Sequence, residues 1–258
     1  MINKKYLELL RSHNRFDVDN FIYNTIAKRI TDSLDLLNIK INNSLEIGIN
    51  DNVTLKYLEN RFIKSKIDRA DISPSKNVLS KNYTFYQVDL DNIKLRENYY
   101  NLIYSNFFLH LTNNFELSLK NIFKSLCSDG FFITVIPSGE SMFQLLNAMY
   151  ETDLYFYSGV FQRFNPTVEI DNILPLMKIL EFDSPSIYKD TITIDYKVFD
   201  KLLKDVKNMN LSYSHLDKKQ NFENKNYFNK LEKIYRKKYF NLNYNLDIKI
   251  NVLSAWKK

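Results

Sequence analysis

Glycine is scarce, with four residues in a chain of 258, and proline is little commoner at five. Asn, Lys, Ile and Tyr are abundant instead, the pattern of an AT-biased coding sequence that erodes glycine codons. Cysteine is scarcer still. Cys127 stands alone, which excludes an internal disulfide and any metal site built from several thiolates. Only His13, His110 and His215 are present, thin material for an iron site of two histidines and a carboxylate. His215-Leu216-Asp217 has that spacing, but in a polar loop far along the chain, and no metal is expected. No apolar run reaches membrane-spanning length, and Met1 to Phe16 lacks an apolar core of signal-peptide size. The expectation is a cytoplasmic protein without a transmembrane segment.

What is there is a globular composition. Hydrophobic residues make up 45% and aromatics 15%, which excludes a disordered chain and suits one α/β domain with additions. The net charge of +6 raises the possibility of a phosphate-rich partner. Its basic residues are spread along the chain, however, and only Lys218 to Lys238 is locally basic with aromatics interleaved. Nucleic acid is therefore not the expected partner.

Ser44 to Asn52 reads as the first strand and turn of a nucleotide-binding α/β domain. Leu45, Ile47 and Ile49 alternate with other residues. Gly48 sits in the turn, where a missing Cβ lets backbone approach a ligand closely. Asn50 and Asn52 follow where further glycines are expected, and asparagine tolerates left-handed backbone better than most residues. Before the strand, Lys4 to Arg15 is a short basic amphipathic segment. Val18 to Leu37 is a longer helix, with Ile22, Ile26, Ile30, Leu34 and Leu37 at helical spacing.

Past the turn, Asn52 to Lys64 is a helix and Lys66 to Ile72 a second strand. Asp71 at its end either accepts hydrogen bonds from a ribose or caps a helix opening at Ser73-Pro74. Thr84 to Val88 gives a third strand before Asp89-Leu90-Asp91, and Asn101 to Asn106 a fourth. Phe107 to Leu111 runs into a helix carrying His110. Leu117 to Leu126 is a helix closed by Ser128-Asp129-Gly130, and Phe131 to Ile136 is a fifth strand apolar enough for burial on both faces. This alternation predicts a doubly wound, mainly parallel sheet. Beyond Pro137 come a helix over Ser141 to Tyr150 and an aromatic stretch, Glu151 to Pro166, expected as a lid or docking surface. Helices at Ile170 to Leu180, Phe199 to Met209 and Tyr227 to Tyr239, with strands at Ser186 to Tyr196 and Leu246 to Trp256, complete the chain.

This order of elements resembles the class I S-adenosylmethionine-dependent methyltransferases. Asp89-Leu90-Asp91, Leu95, Tyr100 to Asn106 and Leu109-His110-Leu111 are similar to that family's "D…LPF…FDLV.S…LHW" core, and Ser128 to Phe132 to its "PDG.F" strand entry. Ser138 to Leu145 resembles a "GGDTL.EL" segment, Phe161 to Pro166 stands at a "SPHISPF" segment, and Tyr235 to Tyr239 with Trp256-Lys257 resembles a "YRE.Y…GWK" tail. These narrow the resemblance to the methyltransferase-like mitochondrial complex I assembly factors, the arginine hydroxylase branch, with their alphaproteobacterial relatives. That branch neighbours the malonyl-carrier-protein methyltransferases of biotin synthesis. The "D.GCG.G" turn is here Glu46 to Asn52, the fourth-strand Asp is Asn101, and the residue after His110 is Leu111 rather than tryptophan.

The resemblance implies a Rossmann-like α/β sheet with N-terminal helices (1–43), a cofactor-binding half (44–137), and a helical and aromatic cover with the last strands (138–258), all one domain. It places Glu46, Gly48 and Asn50 near the methionine part of S-adenosylmethionine. Asp71 and Ile72 fall at the ribose, Asp89 and Leu90 at the adenine, and Ser105 and Asn106 beneath the sulfonium. His110 is the candidate base for an acceptor that arrives protonated, with a packed structural histidine as its alternative. Two function classes remain, the methyltransferase favoured, with an arginine hydroxylase of the assembly-factor type as a further alternative. One is an enzyme using S-adenosylmethionine on a protein substrate, such as a complex I subunit. The other is a non-catalytic assembly protein that kept the fold. An open acid-lined pocket at the strand ends favours the first, and side chains filling that space favour the second.

Overall fold

The computed structural model describes residues 1–13, 20–73, 83–209, 211–219 and 223–258. Several expectations fall outside them: Asn14 and Arg15 of the basic segment, Val18, the helix that Pro74 would open, residues 220–222 of the basic stretch, and the side chain of His13.

Strands β1 (Asn43–Ile47), β2 (Lys66–Asp71), β3 (Tyr83–Gln87), β4 (Tyr100–Asn106) and β5 (Leu126–Pro137) run parallel, in the spatial order β3-β2-β1-β4-β5. β6 (Asp183–Tyr196) and β7 (Asn243–Lys257) complete it, β7 lying antiparallel between β5 and β6. Phe240–Asn241 folds back on the start of β7. The chain reverses direction across the sheet between β1 and β4. In open α/β sheets that crevice, at the carboxyl ends of the strands, is where ligands bind.

Alternate residues of the central strands enter two apolar clusters, one per face. Leu102 and Tyr104 of β4 meet Ile22, Ile26, Ile30 and Leu34 of helix α2 (Phe21–Asp35), as the helical spacing predicts. Ile103 on the opposite face joins the cluster holding Leu7 of helix α1 (Lys4–His13), together with Leu45, Ile47 and Phe108. Helix α3 (Val53–Arg61) follows the β1 turn, and its first free amides are met by Asp51, whose Oδ1 accepts from Thr54 N at 3.0 Å.

Three local expectations are corrected. Phe107 to Leu111 is an irregular turn rather than a helix start, with Phe107 at a left-handed φ of 53°. The turn after helix α4 (Phe115–Ser125) belongs to an irregular start of β5. There Asp129 takes the left-handed backbone, while Gly130 is needed for contact: a Cβ would lie 2.8 Å from the Cys127 carbonyl oxygen. Finally, α5 (Phe143–Tyr157) runs a further two turns, through the stretch read as an aromatic loop. No glycine or proline interrupts it before Ser158 caps it in left-handed backbone.

Candidate functional site

The parallel strands end at one edge, bringing Gly48, Asp71, Asp89, Ser105 and Asn106 to the same end of the sheet. Asp71, the last residue of β2, is 5% exposed. Its Oδ2 accepts from Ile49 N at 2.9 Å and its Oδ1 from Ser73 N at 3.0 Å. The remaining capacity is taken by Arg11 of α1, whose Nε stands 2.9 Å from Oδ1 and whose terminal nitrogen stands 2.5 Å from Oδ2. That is the two-pronged geometry of a strong guanidinium–carboxylate pair. Burial opposes the Arg11 charge, but the Asp71 charge and hydrogen bond outweigh it and leave its pKa raised.

The same helix covers the neighbouring acids. Lys4 Nζ lies 3.0 Å from Asp89 and 2.7 Å from Asp91. Asp91 is held below the usual carboxylate range, because hydrogen bonds from Lys4, Thr112 and Asn113 outweigh the upward push of burial. Asp89 also caps the short 3-10 turn Leu90–Asn92 through Asp91 N. Lys4, Leu7 and Arg11 are spaced i, i+3 and i+7, on one helical face, and Leu7 is fully buried between the two ion pairs. A helix of this chain lies on its own strand ends.

The glycine turn is filled as well. Gly48 has φ +82°, and a Cβ there would stand 2.1 Å from Phe108 Cβ. The Phe108 ring in turn supports Arg11, whose guanidinium carbon is 4.4 Å from the ring centre. Asn50 donates from Nδ2 to the Asn106 carbonyl at 2.6 Å and accepts from Arg11 at 3.0 Å through Oδ1, tying the turn to β4 and to α1. Asn106 donates to Asp51 Oδ2 at 2.7 Å and to the Tyr23 carbonyl at 3.1 Å. Ser105 is fully buried and its hydroxyl has no partner. Ile72 and Leu90 are buried, their carbonyls accepting from Gln87 and Ser118.

Glu46 faces another way. On β1 it is paired in register with Arg69 of β2, and the two side chains form a buried ion pair. Only Oε2 is engaged; Oε1 is buried without a partner. Burial pushes the Glu46 carboxyl up to about 7, with Arg69 opposing and Asp51 and Asp71 adding to the rise. The folded state therefore favours the protonated acid. Its stabilisation is complete below the unfolded value near 4.5 and is lost as pH rises through about 7. Glu46→Gln mimics the neutral acid, so urea unfolding of the variant should lack this fall. Relative to wild type it should gain on the order of 2 kcal/mol between pH 4.5 and pH 8. Parallel pH profiles for the two proteins would reject this reading.

His110 is 4% exposed, with Phe107 edge-on at 6.0 Å and no partner for Nδ1. Burial, followed by the Arg11 charge, brings its pKa down to about 3. The ring is neutral at neutral pH and a weak proton acceptor. Among the described residues no group of three His, Cys, Asp or Glu side chains is drawn together as metal ligands. His215 stacks on Tyr213 at 4.6 Å, and Asp217 accepts from the Tyr213 hydroxyl at 2.8 Å.

The aromatic stretch continues α5 to Tyr157, and beyond it Phe164 bridges to Ser212. Arg163 is tied to Asp153 and to Glu223, within a network that includes the Tyr227 hydroxyl of helix α8 (Lys225–Tyr239). A cavity of about 650 Å³ lies elsewhere, between helix α6 (Ile173–Ile179) and β6, lined by Ile170, Asp171, Leu174, Pro175, Lys178, Ile187 and Lys189. None of the strand-end acids lines it.

An adenosine at this edge needs free oxygens on Asp71 and open space above Gly48; among the described residues both Asp71 oxygens are engaged and Phe108 stands where a Gly48 Cβ would lie. As arranged, these residues do not fit S-adenosylmethionine. The residues that decide this, Lys4, Leu7, Arg11 and Phe108, were not picked out from the sequence. Their signal was faint: a cationic helical face preceding a sheet whose acids cluster at strand ends.

Residues 45–134 match the family model described as "Methyltransferase domain". The chain is 23% identical over 245 residues to "Arginine-hydroxylase NDUFAF5, mitochondrial" of Dictyostelium discoideum, a match covering 86% of this chain and 56% of that protein. It is 29% identical over 251 residues to malonyl-acyl-carrier-protein O-methyltransferase 1 of Ilyobacter polytropus, covering 93% and 89%. The chain thus spans little more than half the length of the first relative. Among solved structures, Haemonchus contortus phosphoethanolamine N-methyltransferase 2, in complex with phosphomonomethylethanolamine and S-adenosylhomocysteine, has a TM-score of 0.56 at 13% identity. That likeness covers 100% of this chain and 60% of the other, and it concerns the fold.

Proposed function

We propose that this chain, whose residues 45–134 match the methyltransferase-domain model, belongs to the class I S-adenosylmethionine-dependent methyltransferase superfamily and acts as a non-catalytic assembly or interaction protein with its cofactor edge closed by its own helix α1. The observation that carries the reading is the buried pair of Arg11 and Asp71, which engages both oxygens of the ribose-seat carboxylate. Phe108 against Gly48 and the cross-linked Asn50 close the remaining space. His110 is then a packing histidine, and Ser105 and Asn106 hold the turn. The single domain over 1–258 and its cytoplasmic setting belong to this proposal. The Dictyostelium relative is named an arginine-hydroxylase, which supports a protein partner for this chain.

A second reading has its own support: Gly48, Asp71 and Asp89 keep the residue types and places a cofactor requires. Under it, α1 is a gate, and the chain is a methyltransferase, acting on a protein substrate, that opens when S-adenosylmethionine displaces Arg11. Amide hydrogen exchange over residues 4–13 separates the two. With α1 as a permanent part of the fold, its amides are protected and unchanged by added S-adenosylmethionine. Faster exchange on addition of the cofactor would overturn the non-catalytic reading and establish the gate.

A further inference from the structure

The last turn of α5 stands out from the body of the protein. Leu154, Tyr155, Phe156 and Tyr157 are consecutive and are 54, 66, 38 and 42% exposed. Consecutive helical positions lie about 100° apart, so four exposed neighbours sweep round the axis instead of forming one stripe. The exposed rings are anchored through Tyr227 of α8, itself 1% exposed. Tyr155 meets Phe156 at 5.0 Å, Phe156 meets Tyr227 at 5.9 Å, and Tyr227 meets Phe228 at 5.7 Å. Val160 and Phe228, also exposed, widen this surface.

The charge around this surface is predominantly positive, with Lys238 paired to Glu151. Helix α8, packed beside α5, carries Lys225, Lys230, Lys233, Arg236, Lys237 and Lys238 against the single acid Glu232. Lys230 Nζ stands 3.9 Å above the Tyr155 ring. Among the described residues, the acids close by are already engaged: Asp153 and Glu223 with Arg163, Glu151 with Lys238, and Glu232 with the Tyr244 hydroxyl. An exposed aromatic tip flanked by unopposed cations is complementary to an anionic partner.

We infer that this end of α5, with the basic side of α8, docks the protein on an anionic lipid bilayer. The rings enter the boundary between headgroups and acyl chains, and the lysines face the acidic headgroups. The sweep of exposed side chains selects this occupant. A rigid protein groove covers one side of a helix, whereas a soft interface surrounds a projecting tip. The shared positive charge disfavours a second copy of the chain on the same surface. This surface is distinct from the cofactor edge, and the inference does not rest on whether that edge binds a ligand.

The test is co-sedimentation of the full chain with phosphatidylcholine vesicles, with and without phosphatidylglycerol. Binding to the anionic vesicles should exceed binding to the neutral ones by at least about tenfold and should weaken with salt. The pair Leu154→Ser and Tyr155→Ser, at two well-exposed positions, should lower that binding by at least about tenfold with the melting temperature unchanged. Lys233→Glu with Lys237→Glu should remove the preference for anionic lipid while leaving the fold intact. A wild-type chain that ignores both vesicles overturns the inference, as does full binding by the Leu154→Ser, Tyr155→Ser variant. So does a dimer that buries these residues, or capture of polyglutamate without capture of vesicles, which would assign the surface to an acidic protein segment.

Discussion

Replacing Arg11 with alanine should cost about 3–5 kcal/mol of folding stability, the range for removing one partner of a buried ion pair. The substitution leaves Asp71 at 5% exposure with only the amides of Ile49 and Ser73 as donors. It also removes the hydrogen bond to Asn50 and the cation over the Phe108 ring. Urea unfolding measures the loss. Combining Arg11→Met with Asp71→Asn removes both charges and should recover part of it, since an uncharged pair carries no stranded carboxylate. A loss of less than about 1 kcal/mol in Arg11→Ala, the scale of an exposed pair, would mean that α1 is not seated as described.

Gly48→Ala should be comparably damaging, by about 2–5 kcal/mol, from two causes that add. A left-handed backbone at φ +82° strains any residue with a Cβ. The new methyl would also lie 2.1 Å from Phe108 Cβ, so the ring or the turn must move. Phe108→Gly in the same chain removes both the Cβ and the ring that the new methyl would meet, but not the backbone strain, whereas Phe108→Ala would keep the Cβ 2.1 Å away. The double variant should therefore be less destabilised than the sum of the two single variants, again by urea unfolding. In a cofactor-binding version of this turn the bare glycine makes room for a ligand. Here it makes room for a phenylalanine.

Much of the frame was legible because it rests on short-range patterns. The alternation at Leu45 and Ile47, the apolar run Phe131 to Ile136 and the helical spacing from Ile22 to Leu34 each announce a local period that the structure uses, while Ile49 lies past the end of β1. The acids at the strand ends were legible for the same reason, since a residue that closes a parallel strand lies at the ligand edge wherever the strand packs. What covers that edge depends on contacts between residues far apart in sequence, such as Arg11 with Asp71 and Lys4 with Asp89. No local period carries that information. The first part of the aromatic stretch was misread as loop because a density of rings suggested a cover, while the absence of Gly and Pro before Gly159 allowed the helix to continue. Phe107 to Leu111 was expected to run into a helix, yet Phe107 takes left-handed backbone and Phe108 and His110 are buried.

The most direct test is calorimetric titration of the intact chain with S-adenosylhomocysteine. Any ligand at this edge must first undock α1, and its apparent affinity scales with the fraction of open molecules. Burying Leu7 alone contributes about 1.5–3 kcal/mol, and with both ion pairs added a docking energy of about 3 kcal/mol or more leaves roughly one molecule in a hundred open. The account predicts no measurable heat from wild type at micromolar ligand. Micromolar binding by the wild-type chain, with Arg11 still paired to Asp71, would contradict it.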